Sequence, residues 1–396
     1  MITNVKDYYR RLDAFLSEIY QVGAENIFST VLRELVGFLG KDLRIKNGRL
    51  YELIIDEFVL VYCTNIQEPD CYEKLDIKSE AVQLVLKHGT YIYHDSSPTL
   101  RIRAGAYADP LVAFTILRGE EVWLFVFELY DNWDREEIEF AVNTSRKLLN
   151  ARISSESMKN SLLHAELIQR SLLPKNAPQI EGFEIFGKSI SAEIVGGDLY
   201  DYNTFSEGHF GVGIGDAIGH GLPAALLARD VVTGLRMGLE KEMKISAVIQ
   251  KLNRVIHRST LSTSFTSLFY AEIETTGDLV YVNAGHPDPI LVHGQRIQLL
   301  KRGGTVLGPL PEIQLKRGFA VMPPGSLLVL YSDGLIERRN IYGETFGQQR
   351  LKELVVNNQN QSAENLVTDI IDVVYDFGNQ QTWKDDMTVV IVKRNV

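Results

Sequence analysis

The sequence predicts an α+β protein: two domains built on antiparallel sheet with helices against it, joined by a long helix. Three observations predict this. The chain has 396 residues, more than one domain usually holds, so each half can bury its own core. Strand-like runs set off by glycine are too clustered for strict strand-helix alternation. Between the two regions, Trp133 to Pro174 is a helical stretch without glycine. Hydrophobic residues at 45% and charged residues at 23% argue for folded soluble domains over disorder.

Val5 to Phe38 carries apolar positions at helical spacing, Leu12, Phe15 and Ile19 and then Ile27, Val31 and Leu35, and predicts two helices. After Gly48 come strand-like runs at Leu50 to Ile55, Phe58 to Cys63, Leu111 to Leu117 and Glu121 to Glu128, with a helical piece at Glu80 to Lys87. The connecting helix carries Ile138, Val142, Leu148, Leu149, Ile153, Leu162, Leu163 and Ile168, but its heptad register breaks at Ser154 to Glu156. Pro174 and Pro178 end it. The division is therefore 1–132, 133–175 and 176–396.

In the last segment strands are predicted at Phe183 to Ser191, His209 to Gly215, Thr266 to Ile273, Asp278 to Asn283, Leu327 to Ser332 and Met387 to Val392. Helices are predicted at Pro223 to Met237, Ile245 to Arg258, Gln348 to Val356 and Ser362 to Tyr375. Strands outnumber helices, which suits a sandwich.

A formal charge of -10 opposes a nucleic-acid interface, which needs concentrated positive charge, and favours divalent cations as partners. Cys63 and Cys71 have no metal-ligand spacing and read as reduced structural thiols. The N-terminus lacks the layout of a signal peptide. Apolar runs such as Phe58 to Cys63 and Ser326 to Tyr331 fall far short of the roughly 20 residues of a membrane span, so a cytoplasmic protein is expected.

The chemistry is carried by four aspartates at strand ends. Asp198 lies in Val195-Gly-Gly-Asp-Leu-Tyr-Asp201, Asp216 closes His209-Phe-Gly-Val-Gly-Ile-Gly-Asp, Asp333 closes Leu327-Leu-Val-Leu-Tyr-Ser-Asp, and Asp385 opens Asp385-Asp-Met-Thr-Val-Val. One such aspartate is usually a turn or cap residue; four in the same situation point to a shared site. Converging carboxylates repel and resist desolvation, so a cation must sit among them. No lysine or arginine adjoins Asp198 or Asp216, and oxygen-only ligands suit Mg2+ or Mn2+. Two such ions clamp a phosphoryl group for attack by water, so phosphate-ester hydrolysis is the matching chemistry. Pro223 opens a helix whose start would face Asp216 and could help hold an anion. His220 reads as a packed loop residue or a proton carrier, His286 as a turn-stabilising residue or the same, and Tyr200, Tyr202 and Tyr331 as sheet-packing aromatics.

From about His164 onward the chain resembles the SpoIIE/RsbU-type branch of the metal-dependent PPM serine/threonine phosphatases. The likeness runs through Ala165-Glu-Leu-Ile-Gln-Arg-Ser-Leu-Leu-Pro174, the Asp198 segment, Gly215-Asp-Ala-Ile-Gly-His-Gly221, Asn283-Ala-Gly-His286, Tyr331-Ser-Asp-Gly334 and Asp385-Asp-Met-Thr388. It implies an α-β-β-α sandwich and two Mn2+ or Mg2+ ions on the catalytic Asp198, Asp216, Asp333 and Asp385, with the main-chain carbonyl of Ala217 as a further ligand. It also implies a phosphoserine or phosphothreonine substrate on an anti-sigma-factor antagonist. Ala217-Ile218 and Pro287-Asp288 depart from the family's commonest text, and no arginine near Asp198 matches the phosphate-holding arginine of the wider family.

The first 150 residues resemble a GAF-type sensory domain in element order, which implies a small-molecule or protein signal; a ligand-free dimerisation domain is the other reading. In the resembling proteins the helix ending Ser171-Leu-Leu-Pro174 transmits dimer rearrangement to the metal site, which implies a homodimer. Against the enzyme stand two readings from other classes, a phosphatase-like binding module without turnover and a ligand-sensing scaffold.

Overall fold

The computed structural model describes residues 27–40, 43–65, 73–94, 100–102, 110–206, 208–240, 244–259 and 264–396. The chain divides into two compact units, Met1–Asn160 and Ser161–Val396. The predicted helix over Leu12, Phe15 and Ile19 lies outside the described residues, as does Cys71.

The first unit contains α1 (Ile27–Leu39), β1 (Ile45–Ile54), β2 (Glu57–Cys63), β3 (Lys74–Asp76), α2 (Glu80–His88), β4 (Thr90–Tyr93), β5 (Leu111–Arg118) and β6 (Glu121–Leu129). The strands form one antiparallel sheet in the order β3-β2-β1-β6-β5-β4. Alternation along β5 shows why both faces are covered. Val112, Phe114 and Ile116 join a core with Val31, Leu32 and Leu35 of α1, whereas Leu111 and Ala113 pack with Val82 and Val85 of α2. The short β3 and β4 have too few residues to show a period and were not expected. Cys63 Sγ donates to the Asn65 carbonyl at 3.4 Å.

Helix α3 (Arg135–Leu172) is the predicted connecting helix. Its buried residues Ile138, Val142, Leu149 and Ile153 belong to the first core, and from Ser161 it belongs to the second unit. Among the described residues no helix is long and apolar enough to cross a membrane.

The second unit continues with β7 (Phe183–Ile190), β8 (Asp198–Ser206), β9 (His209–Ala217), α4 (Leu222–Leu239), α5 (Ile245–Ser259), β10 (Thr266–Glu274), β11 (Asp278–Ala284) and β12 (Ile290–His293). It closes with β13 (Arg296–Leu299), β14 (Gly303–Gly304), β15 (Gly318–Val321), β16 (Leu327–Tyr331), α6 (Asp333–Ile336), α7 (Gly347–Asn357), α8 (Ala363–Phe377) and β17 (Met387–Arg394). One sheet runs β14-β11-β10-β9-β8 with β15 on β11; the other runs β13-β12-β16-β17-β7. Val212 and Ile214 of β9 meet Leu328 and Leu330 of β16 and Val390 and Val392 of β17 between the sheets. Val389 and Ile391 point outward under α7 and α8, and Leu268 and Val282 outward under α4 and α5. The result is the expected α-β-β-α sandwich.

The glycines of β9 have a packing reason. Tyr270 of β10 stands directly opposite Gly213, and a Cβ at Gly213 would come 2.9 Å from its ring, so the strand's outer face is bare where the tyrosine lies across it.

Candidate active site

The sandwich brings the four aspartates to one end. Asp198 begins β8 and Asp216 lies at the end of β9, and they are direct cross-strand partners. Opposed like charges destabilise a sheet, so this pairing needs compensation. Asp333 opens α6 directly after β16, and Asp385 precedes β17, the neighbour of β16.

Burial and mutual repulsion push all four carboxyls upward. Asp198 is 4% exposed and raised well above the usual range, first by burial and then by Asp216. Asp216 is raised to about 7, by burial and then by Asp333, Asp385 and Asp386. Asp333 is raised by burial and then by Glu337; Asp385 is raised by burial and by Asp333 and Asp386, against a lowering main-chain hydrogen bond and the lowering influence of His220. Among the described residues no lysine or arginine contributes to the surroundings of any of them. The Asp198 Oδ1 atom is buried without a hydrogen-bond partner. An acceptor left this way costs free energy unless a cation fills its place. As they stand, no three His, Cys, Asp or Glu side chains among the described residues are grouped so as to hold a metal ion.

Several positions that sequence reasoning missed hold the cluster. Ser332 Oγ donates to Asp198 Oδ2 at 2.7 Å and accepts from the Thr388 N–H at 2.9 Å. Asp386 is a loop organiser: Oδ1 accepts from Ala192 N–H at 2.8 Å and Oδ2 from Gly197 N–H at 2.5 Å. Thr266 Oγ1 donates to the Asp216 carbonyl at 2.8 Å. Arg236 of α4 forms a two-pronged pair with Asp201, both contacts at 2.7 Å. The doubled aspartate at 385–386 was the available signal, although sequence alone did not separate its two roles.

The two histidines differ from expectation. His220 is not packed between its glycines: its side chain is 81% exposed, and Nδ1 lies 2.8 Å from Glu193 Oε1. His286 takes part in its turn through the main chain, its N–H donating to Asn283 Oδ1 at 2.8 Å, while its ring is buried. Its Nδ1 meets Ser267 Oγ at 2.8 Å, and Ser267 faces Asp216 across β9 and β10. Burial lowers the ring to about 3, the Tyr331 carbonyl acting in the opposite sense. Tyr200 and Tyr331 pack in the sheet cores as expected, and Tyr202 packs against the core between the sheets. Helix α4 begins at Leu222, with Gly221 as its cap and Pro223 in its first turn.

The α-β-β-α sandwich is the fold seen in PP2C phosphatase domains. The SiaA-PP2C domain of Pseudomonas aeruginosa superposes with a TM-score of 0.54 at 22% identity, over 61% of this chain and 98% of that one. Residues 206–395 match the Stage II sporulation protein E (SpoIIE) family. The chain is 28% identical over 245 residues to the phosphoserine phosphatase RsbU of Bacillus subtilis, covering 61% of this chain and 72% of RsbU. It is 25% identical over 205 residues to the phosphoserine phosphatase RsbP of the same organism, spanning 47% of that protein. Residues 206–395 therefore carry a likeness to the SpoIIE family, and homology to these enzymes supports a protein phosphatase.

Proposed function

We propose that the chain hydrolyses phosphoserine or phosphothreonine on a regulatory protein of the anti-sigma-factor antagonist type. Two Mn2+ or Mg2+ ions would be held by Asp198, Asp216, Asp333, Asp385 and the main-chain carbonyl of Ala217. The observation that carries this reading is the pairing of Asp198 with Asp216 across β8 and β9, with no basic residue among the described residues to offset it. The proposed donor set of carboxylates and a main-chain carbonyl is oxygen only, which suits Mg2+ or Mn2+. Bound there, the ions supply Lewis acidity toward water and toward the phosphoryl oxygens. The chain's own residues do the positioning. Ser332 orients one oxygen of Asp198 and leaves the other for a ligand, Thr266 fixes the Asp216 main chain, and Asp386 fixes the loop before Asp198.

Residues 1–132 act as a GAF-like sensory domain answering a small-molecule or protein signal, and α3 carries the response between the units. Support comes from the six-stranded antiparallel sheet flanked by helices. The chain works as a homodimer through α3, on which Met158, Leu163, Leu167 and Ile168 are exposed apolar residues. Phosphate release from a phosphoserine peptide and from an aryl phosphate, with Mn2+, Mg2+ or a chelator, tests the catalytic reading. Turnover should require the ion and fall at least 100-fold in Asp333→Asn with the fold retained. Full activity of that variant removes the metal assignment.

A further inference from the structure

Next to the aspartate cluster stands a contact that the family likeness does not assign. Gln169, in the part of α3 belonging to the second unit, uses both ends of its amide on one residue. Nε2 donates to the Gly196 carbonyl, and Oε1 accepts from the Gly196 N–H at 3.1 Å. A primary amide presents a donor and an acceptor side by side on separate atoms without charge, matching the N–H and C=O of one residue, and of the two such side chains glutamine has the longer reach.

Gly196 is the start of a turn that has no side chains with which to pack. A Cβ at Gly196 would overlap the Asp386 carboxyl group, and one at Gly197 would overlap the Ala217 carbonyl oxygen. The turn must be held by hydrogen bonds, against the conformational freedom that paired glycines retain. Gly197 N–H donates to Asp386, and the Gly197 carbonyl accepts from Ala217 N–H at 3.2 Å. Gln169 is the remaining clamp. Beyond Asp198, Arg236 pairs with Asp201 and donates to the Leu172 carbonyl at 2.8 Å, so the end of α3 is pinned on both sides of Asp198. That carbonyl is one of the last four of the helix, which lack an internal partner.

We propose that Gln169 is a positioning residue: by clamping the Gly196–Gly197 turn it sets where Asp198 and Ala217 present their oxygens. The proposal rests on the metal reading above. Outer partners of metal ligands commonly govern affinity by about 10–100-fold, and that is the size of effect expected here.

The test uses the full chain with Gln169→Met, which keeps length and removes both hydrogen bonds, and Gln169→Glu, which keeps the acceptor for the Gly196 N–H. Mn2+ affinity is read from the electron paramagnetic resonance of free Mn2+, alongside melting in chelator. Q169M should weaken Mn2+ binding about 10–100-fold and Q169E less, with chelated melting temperatures within a few degrees of wild type. Wild-type affinity in Q169M overturns the proposal. Lost affinity with a matching collapse of chelated stability also overturns it, since Gln169 would then be structural. A wild-type chain that takes up no Mn2+ overturns the metal reading and this proposal with it.

Discussion

Asp216 joins destabilisation and function in one side chain. Its carboxyl is raised to about 7, so without metal the folded state holds a proton that the unfolded state releases near its ordinary value of 3.8. That stabilisation is complete below about pH 4 and is lost as pH rises through about 7. Asp198, Asp333 and Asp385 add in the same direction. His286, lowered to about 3, works oppositely: its neutral ring stabilises above about pH 6.5, and this is lost as pH falls through 3. Melting temperatures of chelated protein should therefore decline relative to Mn2+-loaded protein between about pH 5 and 7.5. Parallel curves would mean the carboxylates are not the metal-linked groups. Asp216→Asn removes one of the repelling charges, and should stabilise the chelated protein by about 1–3 kcal/mol at pH 8 while abolishing stabilisation by Mn2+. Chemical denaturation with and without the ion reads both effects. The four aspartates were legible because each stands at a strand boundary, Asp198, Asp216 and Asp333 beside a glycine and Asp385 just before a strand start. Their supports were not: Ser332 reaches Asp198 across 134 positions and Asp386 reaches Gly197 across 189, separations at which no local pattern operates.

At the scale of elements, most long strands and helices were readable from period, but the nine-residue β8 was not: Asp198–Ser206 was predicted as no strand, because its polar Asp201, Asn203 and Thr204 give it no continuous apolar run. Strand β9 shows the limit of that reading. Its alternating Gly211, Gly213 and Gly215 betray a strand with one bare face, but only the register with β10 reveals Tyr270 as the occupant. Strands β12 to β15 have two to four residues each and owe their existence to neighbours rather than to propensity. A similar close approach fixes α6. A Cβ at Gly334 would overlap the Asp386 carbonyl oxygen and come 3.3 Å from the Asp385 side chain, so this helix start can hold Asp333 near β17 only without a side chain at the next position. Gly334→Ala should cost about 1–3 kcal/mol and weaken the Mn2+ response of phosphate release. Wild-type stability and turnover in that variant would show that the two segments can separate freely.

At the scale of the molecule, the chain pairs a unit with one sheet and a unit with two, and α3 has residues in both. The sandwich was legible as a class because strands outnumbered helices, whereas the pairing order of its sheets depends on contacts such as β7 with β17 that close nearly the whole length of the second unit. On the proposed reading, the aspartate end of the sandwich takes up divalent ions and these ions make it a phosphatase. The most direct measurement is a Mn2+ titration of the full chain, and of its Asp216→Asn variant, with bound ion and phosphate release from a phosphoserine protein recorded in the same samples. Two ions per wild-type chain, turnover that rises with their uptake, and neither in the variant is the predicted result. Turnover that proceeds in chelator, or ions bound by the variant as tightly as by the wild type, would contradict it.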